Sequence, residues 1–159
     1  MTGPLNEEQV REVLGGIGTV NPLRSARITV NTNPSHLREA IDHSRTKLMC
    51  ERLITISAVD NGHTIELVYH FTGPHRTVLS LMIELPRDRP EAPTISDVAP
   101  PAGIYERQIH DLMGVVFTGH PDLRRIILNE DWPEAEYPLR KDWKPDPNTF
   151  YGGICEEKK

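Results

Sequence analysis

The sequence of 159 residues holds only two cysteines, Cys50 and Cys155, and they stand far apart. An iron–sulfur cluster normally takes four thiolate ligands, so this chain cannot bind one by itself. Neither cysteine lies near a second cysteine or a histidine pair at the spacing that structural zinc sites use. Two isolated thiols in a cytosolic chain are more often free than paired, although a disulfide between them stays open.

Long apolar runs and a surplus of basic residues are missing as well. No stretch approaches the ~18 apolar residues that a membrane-spanning helix needs, and the acidic N-terminal sequence MTGPLNEEQV has no apolar signal region. The chain has 18 Lys and Arg against 23 Asp and Glu, a net charge of −5. Phosphate neutralisation requires clustered basic residues, so this balance argues against nucleic acid as a partner. We therefore expect a cytoplasmic protein that reaches a membrane only through other proteins.

The first half of the sequence alternates helical and extended patterns. A helix is predicted over 5–14, with Asn6 as its N-cap, and a second begins at Asn33-Pro34 and runs to Leu48. Strands with alternating apolar residues are predicted at 26–31, 52–59, 63–71 and 77–85. Asp60-Asn61-Gly62 fits the turn of a hairpin between the second and third of these strands. The order predicts a two-layer α+β fold, with helices on one face of a mixed or antiparallel sheet of about four strands.

A chain of this length forms one domain with an ordinary core. Within that domain the sequence predicts three segments. They are an α+β core over 1–85, a proline-rich strap over 86–102, and a C-terminal helix with an extended docking arm over 103–159. The prolines of the strap predict that it has no regular structure.

Residues 103–143 combine charge, aromatics, glycine and proline more densely than any other part of the chain. Apolar residues at helical spacing predict a helix with an inward face made of Tyr105, Ile109, Leu112, Met113 and Val116. Its other face carries the polar residues Glu106, Arg107, His110 and Asp111. Glu106 and His110 are four residues apart, as are Arg107 and Asp111, so each pair can meet across one helical turn.

The arm that follows is too charged for a core and too apolar for a free loop. It carries Trp132 and Trp143, which fit either a core position or an interface, because tryptophan and arginine are enriched at interface centres. We therefore expect the arm to lie in a groove, either on its own domain or on a partner.

Many residues of this stretch stand in a fixed order and spacing. They are Glu106-Arg107, Asp111-Leu112-Met113-Gly114, Phe117, Gly119-His120-Pro121-Asp122-Leu123-Arg124-Arg125, Asp131-Trp132 and Pro138-Leu139-Arg140-Lys141-Asp142. This pattern resembles the signature of the thirty-kilodalton subunit family of respiratory complex I, which includes the corresponding subunits of energy-converting, membrane-bound NiFe hydrogenases. Gln108 departs from the glutamate that the family usually has. The runs 109–112 and 132–134 look more like the hydrogenase branch.

The resemblance implies a non-catalytic, hydrophilic subunit of an oxidoreductase complex that couples electron transport to ion translocation. Such a subunit braces and orients the large catalytic subunit, which forms the quinone site in complex I and bears the NiFe centre in hydrogenases, beside the small iron–sulfur subunit. The resemblance implies no catalytic residue, metal or cofactor in this chain; iron–sulfur clusters, and a NiFe centre or flavin, would belong to other subunits. The complex would hold the chain at the cytoplasmic, inner face of the cell membrane.

The matching positions imply a set of residues at the subunit interface. They are Glu106, Arg107, Asp111, His120, Asp122, Arg124, Arg125, Trp132, Arg140, Lys141, Asp142 and Trp143. Within the chain, Asp111 is expected to form an ion pair with Arg107 or Arg124. The alternative hypothesis is a small metal-dependent enzyme that uses Glu106, His110 and His120. These residues, with Asp111, form the one compact cluster of acid and histidine residues in the sequence.

Overall fold

The computed structural model describes residues 3–24 and 26–149. Three helices are α1 (Glu7–Leu14), α2 (Leu37–Thr46) and α3 (Ala102–Met113). The strands are β1 (Gly18–Arg24), β2 (Arg27–Thr32), β3 (Arg52–Asp60), β4 (Thr64–Thr72), β5 (Val78–Pro86), β6 (Glu91–Pro93) and β7 (Val116–Thr118). Five of these strands form one sheet in the order β1-β2-β5-β4-β3, and β6 pairs with β7.

The main sheet buries one of its two faces. Alternate residues of β4 and β5 lie opposite one another and are buried: Ile65 with Leu85, Leu67 with Ile83, Tyr69 with Leu81, and Phe71 with Leu79. The intervening residues point to the other face and are polar or only partly covered, as the two-residue period of a strand requires. The helices contact β1, β3 and β5, and they cover the apolar face. The predicted two-layer α+β class is therefore confirmed.

The topology confirms the antiparallel meander of β3, β4 and β5. Gly62 closes the first hairpin at φ 91°, where the side chain of Asp60 accepts the Gly62 N–H at 2.8 Å. Strand β2 lies parallel to β5, and β1 lies antiparallel to β2, so the sheet is mixed. It has one strand more than the sequence predicts. β1 was missed because this edge strand includes Pro22 and buries only Val20, so it shows no apolar alternation.

Helix predictions hold better at the start of the chain than later. α1 is confirmed, with a capping box in which Asn6 accepts the N–H of Gln9 and Gln9 accepts that of Asn6. α2 begins three residues late, after a 3-10 turn over Pro34–His36, and Asn33 makes no capping hydrogen bond. None of the helices in 3–24 and 26–149 has the length and apolar character of a membrane-spanning helix.

The strap is not wholly irregular, contrary to the prediction. β6 lies inside it and pairs in parallel with β7, with Ala92 opposite Phe117. Val116 belongs to β7 and is exposed, so its predicted place on the inward face of the helix was wrong. The helix ends earlier because Gly114 adopts the left-handed conformation, φ 73°, immediately after Met113.

Candidate subunit interface

α3 is the element on which the arm is built. Its inward side presents Ala102, Ile109 and Met113 to the core, together with the buried carboxylate of Glu106. Asp111 is buried on the opposite side of the helix, beneath the arm. After β7 the chain turns back and runs along this helix. The charged residues of α3 therefore decide where the arm lies.

The Glu106 side chain joins α3 to the end of the strap. It has no exposed surface, and its carboxylate accepts the hydroxyl of Thr94 at 2.5 Å and the backbone N–H of Ile95 at 2.8 Å. Burial raises the pKa of Glu106, because the loss of hydration outweighs the two hydrogen bonds, which favour the ionised form. Glu106 is thus a structural contact inside this chain.

His120 fixes the point where the arm starts. Its Nδ1 accepts the backbone N–H of Asp122 at 3.0 Å, so this nitrogen carries no proton. Nε2 therefore carries the hydrogen of the neutral ring and donates it to the carbonyl of Gly103 at 3.1 Å. The same nitrogen lies 3.8 Å from a Glu106 oxygen. His120 thereby ties the arm to the first turn of α3.

Asp111 and Arg107 hold the next segment, residues 124–128, through its backbone. Arg107 donates to the carbonyls of Arg124 and Arg125 at 2.9 and 3.0 Å. The Oδ2 atom of Asp111 accepts the N–H groups of Ile126, Ile127 and Leu128 at 3.1, 2.8 and 2.9 Å. Residue 103 of α3 contacts residue 120, residue 107 contacts 124–125, and residue 111 contacts 126–128. Both series advance in the same direction, so the segment runs parallel to α3.

The predicted ion pair of Asp111 with Arg107 or Arg124 was therefore wrong. Asp111 binds backbone amides, Arg107 binds backbone carbonyls, and Arg124 pairs with Asp122 at 2.8 Å. Burial opposes ionisation of Asp111, but its three backbone donors and the nearby Arg125 charge together outweigh this effect, so its pKa is lowered. Asp111 is an ionised anchor for the arm.

Arg125 organises the middle of the arm. Its Nη1 atom donates to the carbonyls of Trp132 at 2.5 Å and Asn129 at 3.2 Å, and Nη2 donates to that of Pro133 at 3.4 Å. One guanidinium thus gathers three backbone carbonyls of an otherwise irregular loop.

The two tryptophans contact each other within the arm. The rings of Trp132 and Trp143 stack with their centroids 5.9 Å apart. Both indole N–H groups donate to Glu136, that of Trp132 to its carbonyl and that of Trp143 to its carboxylate, each at 3.0 Å. Both side chains are partly buried, so the stack is neither a core position nor a fully exposed surface.

Tyr137 and Arg140 fasten the arm to the end of α3. The Tyr137 ring lies against Gly114, where a β-carbon would overlap it. The Arg140 guanidinium lies 4.7 Å from the centre of that ring, and its Nε atom donates to the carbonyl of Met113 at 2.8 Å. The N–H of Leu139 also reaches a helix carbonyl at 3.2 Å.

A last contact, which sequence reasoning missed, joins the arm to the sheet. Asp60, buried at the end of β3, accepts Arg87 at 3.0 Å and the backbone N–H of Lys141 at 3.0 Å. Arg87 also binds Asp142. Hydrogen bonds from Arg87, aided by those from the amides of Lys141 and Gly62, hold the pKa of Asp60 well below its usual range. Asp60 was recognised only as part of a turn, because no local spacing links it to residues 141 and 142.

The geometry does not favour the metal-dependent alternative. His110 turns away from Glu106, and its Nδ1 atom bonds the Val115 carbonyl at 2.7 Å. Among the residues that the structure describes, no group of three or more His, Cys, Asp or Glu is arranged to hold a metal ion. The structure thus brings the predicted interface residues together around α3 and the arm, but it directs many of them inward. Cys155 lies outside the described residues.

Known proteins share both the sequence and the fold of this chain. Residues 30–149 match the family described as the 30 Kd subunit of respiratory-chain NADH dehydrogenase. The C subunit of NADH-quinone oxidoreductase from Ruegeria pomeroyi is 37% identical over 78% of this chain, which spans only 62% of that relative. The C subunit of F(420)H(2) dehydrogenase from Methanosarcina mazei is 33% identical, with 86% of each chain covered.

A third relative is a larger protein. The C/D subunit of NADH-quinone oxidoreductase from Bacteroides thetaiotaomicron is 50% identical over 87 residues, which cover 52% of this chain and 16% of the relative. Its name describes two subunits in one polypeptide.

Solved structures agree with the sequence comparison. A chain of the membrane-bound sulfane sulfur reductase, an archaeal respiratory membrane complex, superposes with a TM-score of 0.75 at 27% identity, covering 87% of this chain and 85% of that one. A trypsin-resistant fragment of Nqo5 has the same fold, with a TM-score of 0.61 at 22% identity, covering 73% of this chain and 95% of the fragment. The chain belongs to the 30 Kd subunit family of respiratory-chain NADH dehydrogenase, a family of subunits of complex I-like, membrane-associated dehydrogenases.

Proposed function

We propose that this chain is a non-catalytic subunit of a membrane-associated electron-transfer complex, either a complex I-like dehydrogenase or an energy-converting NiFe hydrogenase. Its role is to bind the large catalytic subunit and to fix its orientation. The small iron–sulfur subunit is the second neighbour. Iron–sulfur clusters, and the NiFe centre or flavin, are carried by other subunits, and the complex holds this chain at the cytoplasmic, inner face of the membrane.

One observation carries this proposal: the arm has a defined shape although it contains no helix or strand between β7 and residue 149, where the described chain ends. Asp111 and Arg125 direct charged groups at six backbone amides and carbonyls of the arm, three each. A loop shaped in advance loses less conformational entropy when a partner binds, and so gains affinity. Such shaping of an irregular surface segment suits a binding surface better than a connection.

The relatives support the choice of partner. The Bacteroides relative joins a counterpart of this chain to a D subunit in one polypeptide, as its name states. Two subunits that occur in one chain are expected to work side by side. For this chain, a large subunit of the D type is therefore the first partner to test.

The proposal predicts that Arg125→Ala reduces recovery of the large subunit by about tenfold or more. Loss of the guanidinium frees the carbonyls of Asn129, Trp132 and Pro133, so the arm loses its binding shape. The measurement is co-purification of the co-expressed large subunit with the tagged chain. Arg89→Ala is the matched control, because Arg89 lies in the strap, is largely exposed and pairs with its neighbour Glu91.

Two results would count against this role. Full recovery of the large subunit by a folded Arg125→Ala chain would show that the arm does not form the interface. Failure of the wild-type chain to recover any large subunit would refute the proposed function itself. Circular dichroism of each variant establishes that the sheet is intact, so that a folding defect is not scored as a binding defect.

A further inference from the structure

Exposed apolar side chains are concentrated on α3, β7 and the arm. Five of the nine exposed large apolar residues among those that the structure describes lie between 104 and 139, and they are Ile104, Val116, Ile126, Ile127 and Leu139. Single exposed apolar residues are ordinary, but a group of them marks a contact surface. This part of the chain is therefore the candidate contact surface.

Ile126 and Ile127 are exposed as a consequence of how their backbone is held. Both of their N–H groups point to Asp111, which lies on the side of α3 that the arm covers. With the backbone amides turned toward the helix, the side chains stand out, 40% and 54% exposed. Two consecutive β-branched side chains held outward by a buried carboxylate form a rigid apolar projection, because χ1 of isoleucine is already restricted.

Two further residues extend this projection along α3. Ile104, 61% exposed, lies one turn before Arg107, whose side chain binds the start of the same arm segment. Leu139, 59% exposed, is held at the other end of the helix by the hydrogen bond from its N–H to the carbonyl of Leu112. Ile104, Ile126, Ile127 and Leu139 are called the α3 patch below.

The charges around the α3 patch indicate a protein partner. Arg124 is paired with Asp122, and Glu130 and Asp131 follow on the exposed part of the arm. No cluster of unpaired basic residues adjoins the patch in the described part of the chain, so anionic lipid headgroups and nucleic acid have little to bind. An apolar centre with a mixed polar rim is the usual composition of a protein–protein interface.

We propose that the α3 patch inserts into an apolar groove on the large catalytic subunit, with Ile126 and Ile127 as the central contacts. The inference rests on the proposed function and adds the contact residues. The large subunit is the chosen occupant because the patch is continuous with the preformed arm, and because the Bacteroides relative joins a C and a D subunit in one polypeptide. Asp111 acts here as a positioning residue, since it holds the two isoleucines outward without contacting the partner.

The test is the affinity of the double variant Ile126→Ser, Ile127→Ser for the large subunit, measured with purified components. The expected result is binding on the order of 30-fold weaker, because two central apolar contacts are lost while the exposed positions leave folding intact. The matched control is Leu23→Ser, Val59→Ser, which removes two similarly exposed apolar side chains, 66% and 44%, from β1 and β3. The control is expected to bind within about twofold of the wild type.

The outcomes separate this inference from the proposed function. If the wild type binds the large subunit tightly and the isoleucine variant binds it as well as the control does, the proposed contact through the α3 patch is wrong. The proposed subunit role would still stand. If the isoleucine variant instead loses binding to the small iron–sulfur subunit, the proposed contact is also wrong, because the patch would then bind a different subunit. Absence of binding by the wild type would refute the proposed function from which the inference starts.

Discussion

Replacing Glu106 by alanine should lower the free energy of unfolding by about 3–5 kcal/mol. The change leaves the Ile95 N–H without its acceptor inside the core, and the Thr94 hydroxyl loses its carboxylate partner. It also opens a cavity where a fully buried side chain had been. Because the strap and α3 meet at this residue, the arm should loosen together with the core.

Glu106→Gln is the matched control, since it keeps the shape and can still accept the Ile95 N–H. Its unfolding free energy should stay within about 1 kcal/mol of the wild type. The pKa of Glu106 is raised by burial above its ordinary 4.5. The ionised form is therefore disfavoured by folding, so this residue's contribution to stability is present below pH 4.5 and is lost as pH rises through the folded pKa.

The glutamine variant should consequently gain stability relative to the wild type as pH rises from about 4 to about 7. Urea unfolding of both proteins, followed by tryptophan fluorescence across that interval, measures the difference. A stability difference that does not change with pH would show that Glu106 is not a disfavoured buried acid. An alanine variant as stable as the wild type would show that the Thr94 and Ile95 contacts contribute nothing.

The sequence predicted the local elements well where short-range chemistry decides them. Asn6 and its capping box set the start of α1, and Asn61-Gly62 set the β3–β4 hairpin. β1 could not be predicted in the same way, since an exposed edge strand with Pro22 is stabilised by its pairing with β2. β6 depends likewise on β7, which lies beyond Pro100 and Pro101 and the whole of α3.

In the candidate site, too, the sequence did not predict contacts between residues that are far apart along the chain. Helical spacing placed Arg107 and Asp111 one turn apart on α3, but it could not show that both bind the backbone of the arm instead of each other. Their partners lie 15 to 18 residues away along the chain. Asp60 and Lys141 are 81 residues apart. Such contacts follow from the packing of the arm and not from any local pattern.

The second large effect is expected from Gly114→Ala, which should destabilise the chain by about 3 kcal/mol. Gly114 adopts φ 73°, a conformation that costs an alanine about 1–2 kcal/mol. The added methyl group would also overlap the Tyr137 ring. The ring must then move, and the Arg140 guanidinium above it loses its place.

Gly62→Ala separates the backbone cost of a positive φ from the cost of the overlap with the Tyr137 ring. Gly62 also has a positive φ, 91°, but nothing lies within 4 Å of the position that a β-carbon would take. This variant should therefore show only the backbone cost, about 1–2 kcal/mol. Chemical unfolding of both variants gives the comparison, and equal losses would mean that Tyr137 does not anchor the arm. Gly114→Ala should in addition weaken recovery of the large subunit, while Gly62→Ala should not.

In the assembled complex, the α3 patch is expected to face the large subunit, and the proposed role of the chain depends most on this contact. A photoreactive amino acid placed at position 127, with position 23 as the control site, tests the contact directly by crosslinking within the complex. The expected result is a covalent product between this chain and the large subunit from position 127 and none from position 23. Two results would contradict the proposed contact. One is a product between position 23 and the large subunit, and the other is an assembled complex in which position 127 gives no product with the large subunit.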